Sequence, residues 1–307
     1  MLAHVSLSYP GKRPHESEMN STNETPPFAT RTPLHIGAVG ITVRDLDQAL
    51  GFYRNVVGLS VLERGEHAAQ LGIGDIVLIE LMHRPEVQSD DPRTPGLYHV
   101  AFVMPTRADL ARWMLHRSGA DLPMVGANDH GVCEAFYLHD PEGNGVEIYA
   151  DWPAETWRWS EGQVLMPSKP LDIEDLLRAA EGTTKETTPP DLRVGHVHLR
   201  VGDLSVAEAF YLGALGLDLT RRRVGASFMS SGGYHHHVAT NVWDSRDAGP
   251  RDQHRAGLSW FSIVSNDSAI QESIASRLRA LGAPVTPTPV GFETADPWGT
   301  RIRFVAA

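Results

Sequence analysis

The 307-residue sequence has one cysteine, Cys133. That excludes a disulfide framework within one chain and fits a reducing, cytoplasmic setting. Long apolar runs are missing too. A typical one, residues 76–82, is interrupted by Glu80 and is far too short to cross a bilayer. No apolar stretch follows the N-terminus, so no secretory signal is expected. Nor is there an excess of positive charge. The formal net charge is −11, which argues against nucleic acid or an anionic membrane as partner. With 41% hydrophobic and 21% charged residues, the chain reads as soluble, globular and long enough for two domains.

What is present begins with Asp140-Pro141-Glu142-Gly143-Asn144-Gly145, a run whose proline and glycines suit a tight turn. It joins residues 134–138 to residues 146–149, two short runs that read as antiparallel strands. Glu147 then stands inside an otherwise apolar strand. A carboxylate there is costly unless it is paired or binds a metal.

Residues 1–31 are polar, rich in Pro, Ser, Thr and Glu, and aperiodic, so they read as a disordered extension, with Met19 a candidate start. Order is expected from Ile36 onward, where a pattern starts to repeat. Gly37, Asp45-Leu46, Phe52-Tyr53 and Gly58-Leu59 recur as Gly195, Asp203-Leu204, Phe210-Tyr211 and Gly216-Leu217, in one register 158 residues apart. Helices are expected at residues 47–57 and 205–215. A second template links residues 96–104 to residues 257–265. Each leads into a helix (residues 107–118 and 268–281) and closes on an Asp-Pro turn and a strand, at Asp140-Pro141 and Asp296-Pro297. Four βαβββ units result, in an α+β chain. The expected division is a domain at 32–151, a connection at 152–192 with a helix at 173–180 and a Thr/Pro-rich linker at 183–190, and a domain at 193–307.

Overlaying the units gives two positions to inspect. The opening strands carry Ala38, His99, His196 and Trp260; the closing strands of units two and four carry Glu147 and Arg303. Two neutral imidazoles and one carboxylate form the facial triad that holds non-haem Fe(II) with open positions. That set occurs once, as His99, His196 and Glu147. Pairing unit one with two, or three with four, completes no triad, whereas pairing two with three does. One competent site from units two and three, and one degenerate site from units one and four, are therefore expected, within one chain or by exchange between subunits. His198, two residues past His196, is the rival ligand. Glu80 is a candidate partner for Arg303 where the second site was lost.

These residues resemble the vicinal-oxygen-chelate superfamily of glyoxalases, bleomycin-resistance proteins and extradiol dioxygenases, and within it the two-domain catechol 2,3-dioxygenases. The resemblance runs from about Ile36 to the C-terminus. It implies two tandem glyoxalase-like domains with cupped mixed sheets, and a His, His, Glu iron triad on the strands named. It also implies a tyrosine ten residues before the ligand glutamate, where Tyr137 stands, and a histidine upstream, for which His130 is the candidate at a shorter spacing than usual. The run Gly233-Tyr-His-His-His-Val-Ala-Thr-Asn-Val-Trp243 is similar to the segment bearing the acid–base histidine. Strand alternation would put His235 and His237 on one face; His237 is favoured, and His236 takes the role if the register slips by one. The family's usual placement of all three ligands in the C-terminal half is broken here, since Trp260 and Arg303 occupy two of those positions.

The reaction implied is opening of a catechol ring by O2 beside the two hydroxyls, with Fe(II) as cofactor; Mn(II) suits the same donors. The expected partners are a small aromatic diol, O2 and further copies of the chain, as a homo-oligomer. Two other classes share the fold. A glyoxalase-type isomerase or lyase needs a fourth protein ligand, and a non-catalytic binder of aromatics needs no triad.

Overall fold

In the computed structural model, residues 26–117, 124–181, 188–265 and 267–306 are described. Unit one contains β1 (His35–Val43), α1 (Leu46–Phe52), β2 (Ser60–Arg64), β3 (Ala68–Ile73) and β4 (Ile76–His83). Unit two contains β5 (Gly96–Met104), α2 (Arg107–Arg117), β6 (Met124–Asp129), β7 (Cys133–His139) and β8 (Gly145–Asp151). A connection follows with β9 (Trp159–Ser160), β10 (Gln163–Val164), β11 (Lys169–Pro170) and α3 (Ile173–Arg178). Unit three contains β12 (Arg193–Arg200), α4 (Leu204–Glu208), β13 (Asp218–Arg223), β14 (Ala226–Ser230) and β15 (Val238–Asn241). Unit four contains β16 (Gly257–Val264), α5 (Ser268–Ala280), β17 (Thr286–Thr288), β18 (Gly291–Ala295) and β19 (Arg301–Val305).

The repeated Asp-Leu pairs have a local cause. Asp45 and Asp203 are N-caps whose side chains accept from the backbone N–H of Gln48 and Val206, and Asp267 does the same for α5. The two helices expected at 47–57 and 205–215 are α-helical only at their starts. Residues Tyr53–Val57 and Ala209–Ala214 continue as π-turns. The wider turns carry the buried Tyr53 and Tyr211, whose hydroxyls donate to Asp140 and Asp296, each at 3.0 Å. Unit one is thus tied to the turn of unit two, and unit three to that of unit four.

The sheets cross those ties. One has the order β17-β18-β19-β16-β1-β4-β3-β2, from units one and four; the other is β11-β6-β7-β8-β5-β12-β15-β14-β13, from units two and three with β11 added. Units two and three therefore share a sheet within one chain. In the second sheet the pleat divides side chains by parity. Val100, Phe102, Phe136, Ile148, Val197 and Leu199 enter the main core, while Ala101, Val103, Ala135 and Tyr149 face the other way.

One expectation fails at the N-terminus. Residues 1–25 lie outside the described residues, but residues 26–31 are not an extension: Phe28–Thr30 form a 3-10 turn, and Ala29 is fully buried. Phe28 packs on Trp157 and Tyr234, with ring centroids 5.8 and 5.7 Å away. Polar composition hid one apolar pair with a hydrophobic berth. The linker expected at 183–190 falls mostly outside the described residues; its Thr188 donates to the Gly58 carbonyl at 2.8 Å.

Candidate metal and catalytic site

Four strands place one row of side chains on the concave face of the second sheet. Tyr137 on β7 is opposite Glu147 on β8, Glu147 is opposite Ala101 on β5, and Ala101 is opposite His196 on β12. His99 lies two residues before Ala101, on the same face, opposite His198. Ala101 is the small residue at the centre, and its methyl leaves the space that His99, Glu147 and His196 share. Gly195 has a similar purpose: a Cβ there would lie 1.8 Å from the Tyr149 hydroxyl.

The donor atoms of His99, Glu147 and His196 all lie within 4.8 Å of one another, and all three residues are buried. Both Nε2 atoms address the same Glu147 oxygen, at 3.1 and 3.2 Å, and are 3.3 Å apart. Burial dominates the titration of the imidazoles: it lowers His99 to about 3 and lowers His196 despite the adjacent carboxylate. Burial alone would raise Glu147, but the pull of His196 and His99 outweighs it and holds the carboxyl at about 2. Near neutral pH the cluster is therefore one carboxylate and two uncharged imidazoles. This is the protonation state in which such groups ligate a divalent ion, and adjacent ligands of such an ion stand about 3 Å apart. The residues fit a metal. No fourth His, Cys, Asp or Glu joins the cluster among the described residues.

His99 and Glu147 lie in the wall of a cavity of ≈ 410 Å³ that Tyr137, His130, His198 and His236 also line, with His196 behind it. His198 does not join the cluster; its Nε2 accepts from the Asn241 amide at 3.0 Å. The Tyr137 hydroxyl is 2.8 Å from His130 Nε2, and His130 Nδ1 is 3.0 Å from the Pro167 carbonyl. That carbonyl can only accept, so Nδ1 carries the proton and Nε2 takes the tyrosine's hydrogen bond. Burial, reinforced by the Glu147 charge, pushes the phenol well above its usual range.

The three consecutive histidines separate, and the preference for His237 is corrected. Its ring turns from the cavity. Nε2 donates to the Ala29 carbonyl at 2.8 Å, and Nδ1 accepts from the Ser231 N–H at 3.2 Å. The alternation argument failed because residues 231–237 are a loop, with Gly232 and Gly233 at φ 66° and 79°, and β15 starts only at Val238. His236 faces the cavity instead, its ring centroid 4.1 Å from that of His196. His236 Nδ1 is 2.7 Å from His235 Nδ1, and His235 Nε2 is 2.9 Å from Asp151 Oδ1. Asp151 was missed in the sequence, although it follows Glu147 and Tyr149 at alternate positions of one strand, which put all three on one face.

The corresponding place in the first sheet is filled. Trp260 stands where His99 does, and its indole lies under the Arg303 guanidinium at 3.8 Å. Arg303 pairs with Glu293 at 3.2 Å, not with Glu80 as guessed. Glu293 is the cross-strand neighbour of Arg303 and wins by proximity.

Comparison with known proteins bears on the same residues. The family model described as "Glyoxalase/Bleomycin resistance protein/Dioxygenase superfamily" matches residues 35–148 and 193–304. A "Catechol-2,3-dioxygenase" of Bacillus subtilis (strain 168) is 39% identical over 281 residues, covering 88% of this chain and 97% of that protein. A "Biphenyl-2,3-diol 1,2-dioxygenase 3" of Rhodococcus globerulus is 33% identical over 107 residues, 32% of this chain and 56% of its own. Among solved structures, glyoxalase I from Zea mays superposes with a TM-score of 0.54 at 17% identity, over 91% of this chain and 94% of its own. A putative dioxygenase from Bacillus subtilis gives 0.58 at 13%, over 88% and 84%. At such identities these structures speak to the fold alone.

Proposed function

Because the chain belongs to the glyoxalase/bleomycin-resistance/dioxygenase superfamily, and is an extradiol dioxygenase by its likeness to a catechol-2,3-dioxygenase along most of its length, we propose that it uses Fe(II) to open a catechol beside its hydroxyls, yielding a 2-hydroxymuconic semialdehyde. The observation that carries this reading is the triad of donors within 4.8 Å, set in a cavity with two further proton-handling histidines.

His99, His196 and Glu147 would hold the ion. An Fe(II) held there would supply a common centre for the diol oxygens and O2 and a path for electron density between them. Around it the chain's own groups manage protons. Tyr137 presents a hydroxyl to a ring oxygen, and His130 Nε2, its present hydrogen-bond acceptor, can receive the proton that the ring releases. On the opposite side Asp151 accepts from His235 Nε2–H. His235 Nδ1 then accepts from His236 Nδ1–H, which leaves the lone pair of His236 Nε2 for the cavity. His236 is thereby set to take a proton and return it to oxygen as the O–O bond breaks.

The test is anaerobic reconstitution with Fe(II), then catechol and air, following the yellow semialdehyde absorbance. Yellow product in the wild-type protein that disappears in His99→Ala, His196→Ala and Glu147→Ala, along with bound iron, supports the assignment. Absence of product from any catechol, despite one equivalent of tightly bound iron, would overturn it.

A further inference from the structure

The cavity wall holds a cation that the ring-opening steps do not use. Arg223 ends β13, lines the cavity with Phe228 and Trp243, and is half-buried. Its position is electrostatically felt on both flanks of the triad, since its charge bears on Tyr137 and lowers the basicity of His198. Among the described residues no carboxylate pairs with it. Its one ring contact is Phe228, with the guanidinium 5.8 Å from the ring centroid.

Strand parity explains how this arises. Arg221, Arg222 and Arg223 are consecutive, and Arg222 points outward to a carboxylate, Glu208, at 2.6 Å. Arg221 and Arg223 share the other face. Among the described residues the buried Nε of Arg221 has no hydrogen-bond partner either, and its charge adds to that of Arg223. Two partly buried guanidinium groups on one face, with no carboxylate against them among the described residues, leave a positive charge that an anion from outside can meet.

The position is also rigid. β13 and β14 are joined by Val224-Gly225, with Gly225 at φ 75°. The indole N–H of Trp243 donates to the Val224 carbonyl at 3.2 Å, and Val242 N–H donates to the Gly225 carbonyl at 3.0 Å. Trp243 itself packs on Tyr98 and His198, at 5.2 and 5.4 Å between centroids. The turn behind Arg223 is thus bolted to the wall of the site, which fixes the backbone from which the guanidinium projects. A cavity of ≈ 410 Å³ lies in the range that takes ligands larger than one ring.

We propose that Arg223, backed by Arg221, is an anion subsite, and that the substrate is a catechol whose ring carries a carboxylate-ended side group. This rests on the dioxygenase reading for the diol end. The carboxylate end rests on Arg223 alone, because a planar guanidinium meets a carboxylate through two parallel hydrogen bonds.

The experiment is equilibrium binding, without oxygen, to the Fe(II)-loaded protein. The probes are 3-(2,3-dihydroxyphenyl)propanoate and 3,4-dihydroxyphenylacetate, each against its methyl ester, with 2,3-dihydroxybiphenyl as a bulky neutral diol. The better acid is expected to bind about tenfold tighter than its ester, the size of a charge-assisted hydrogen bond. That ratio should fall to near one in Arg223→Met and partly return in Arg223→Lys. Using the acid-to-ester ratio within each variant cancels any general weakening. Equal binding of acid and ester by the wild-type protein, an acid preference that survives Arg223→Met, or tighter binding of the biphenyl than of either acid would each overturn the subsite. Turnover of unsubstituted catechol reports separately. Cleavage without an acid preference removes the subsite and keeps the dioxygenase; an Arg223-dependent preference without cleavage does the reverse.

Discussion

His237 donates from Nε2 to the backbone carbonyl of Ala29 across 2.8 Å, and Thr32 Oγ1 stands 3.2 Å from the same nitrogen. Nothing of the imidazole is left to face the cavity. Its neighbour His236 faces the cavity and is tied, through His235, to Asp151. The two histidines should therefore fail in different ways. His236→Ala is expected to lower kcat by about 100-fold to 1,000-fold, as loss of an acid–base group does, with iron content and melting temperature nearly unchanged. His237→Ala should cost about 1–3 kcal/mol of stability, leaving the Ala29 carbonyl and Ser231 N–H unpaired. Steady-state rates and denaturant titrations on both variants decide the matter; the opposite pattern would restore His237 to the chemistry.

Asp151 reaches His236 through His235. An amide at this position could also donate to His235 and let its ring adopt the other tautomer. Asp151→Asn is therefore expected to reduce kcat by about 10-fold to 100-fold while KM and iron stoichiometry stay close to wild type. Long-range proton–nitrogen correlation spectra of histidine-labelled, zinc-loaded protein would show the change directly, as a loss of the Nδ1-protonated form of His236. A variant with wild-type kcat and an unchanged His236 tautomer would remove Asp151 from the account.

The two Asp-Pro turns give a pH effect of known sign. Burial raises the Asp296 carboxyl from 3.8 to about 6, although Thr300 N–H, the Tyr211 hydroxyl and Trp298 N–H all favour its charged form. The folded state thus holds this proton more tightly than the unfolded chain does. The associated stability is complete below about pH 4 and is lost as pH rises through about 6. Two pH units correspond to about 3 kcal/mol. Wild-type stability minus that of Asp296→Asn should fall by that order between pH 4 and pH 7 in urea titrations. A difference that stays constant, or rises, would contradict the burial argument.

Gly40 supports the filled half of the molecule. A Cβ on it would sit 2.1 Å from Trp260 Nε1, beneath an indole already held by Arg303. Gly40→Ala should cost about 1–3 kcal/mol by forcing that stack apart, yet leave ring cleavage at the His99 site near its wild-type rate. Loss of iron from this variant would show that the two sheets are coupled more tightly than their separate side-chain sets imply.

Much of the site was readable because it lies on regular strands. His99, Glu147 and Tyr137 occupy positions defined by repeat register and by period-two alternation, and both survive folding unchanged. His196 over His198 was decided by the same register, and Asn241 now accounts for the loser. The sequence was weaker where the chain leaves regular structure. The loop at 231–237 breaks alternation and turns His236, not His237, to the cavity. Residues 28–30 are too few to show a period, yet Ala29 is buried and caps His237. The partner of Arg303 depended on which strand lies alongside, and Glu80 is simply in the wrong place. Asp151 and Arg223 needed the three-dimensional cavity: alternation assigns each a face of its strand, but only the fold shows that Asp151 reaches His236 through His235 and that Arg223 lines the same cavity as Tyr137.

The crossed pairing of units also bears on how the chain comes together during synthesis. β5 through β15 are contiguous, so the sheet carrying His99, Glu147 and His196 can close once Asn241 has emerged. β1 is different: its antiparallel neighbour is β16, with His35 opposite Val264. Until that distant strand arrives, β1 has an open hydrogen-bonding edge bearing Val39 and Ile41, the kind of edge that invites pairing with another chain. The triad-bearing sheet is thus the part best placed to form early on the ribosome, and the sheet of units one and four is the one most exposed to mispairing in the nascent state.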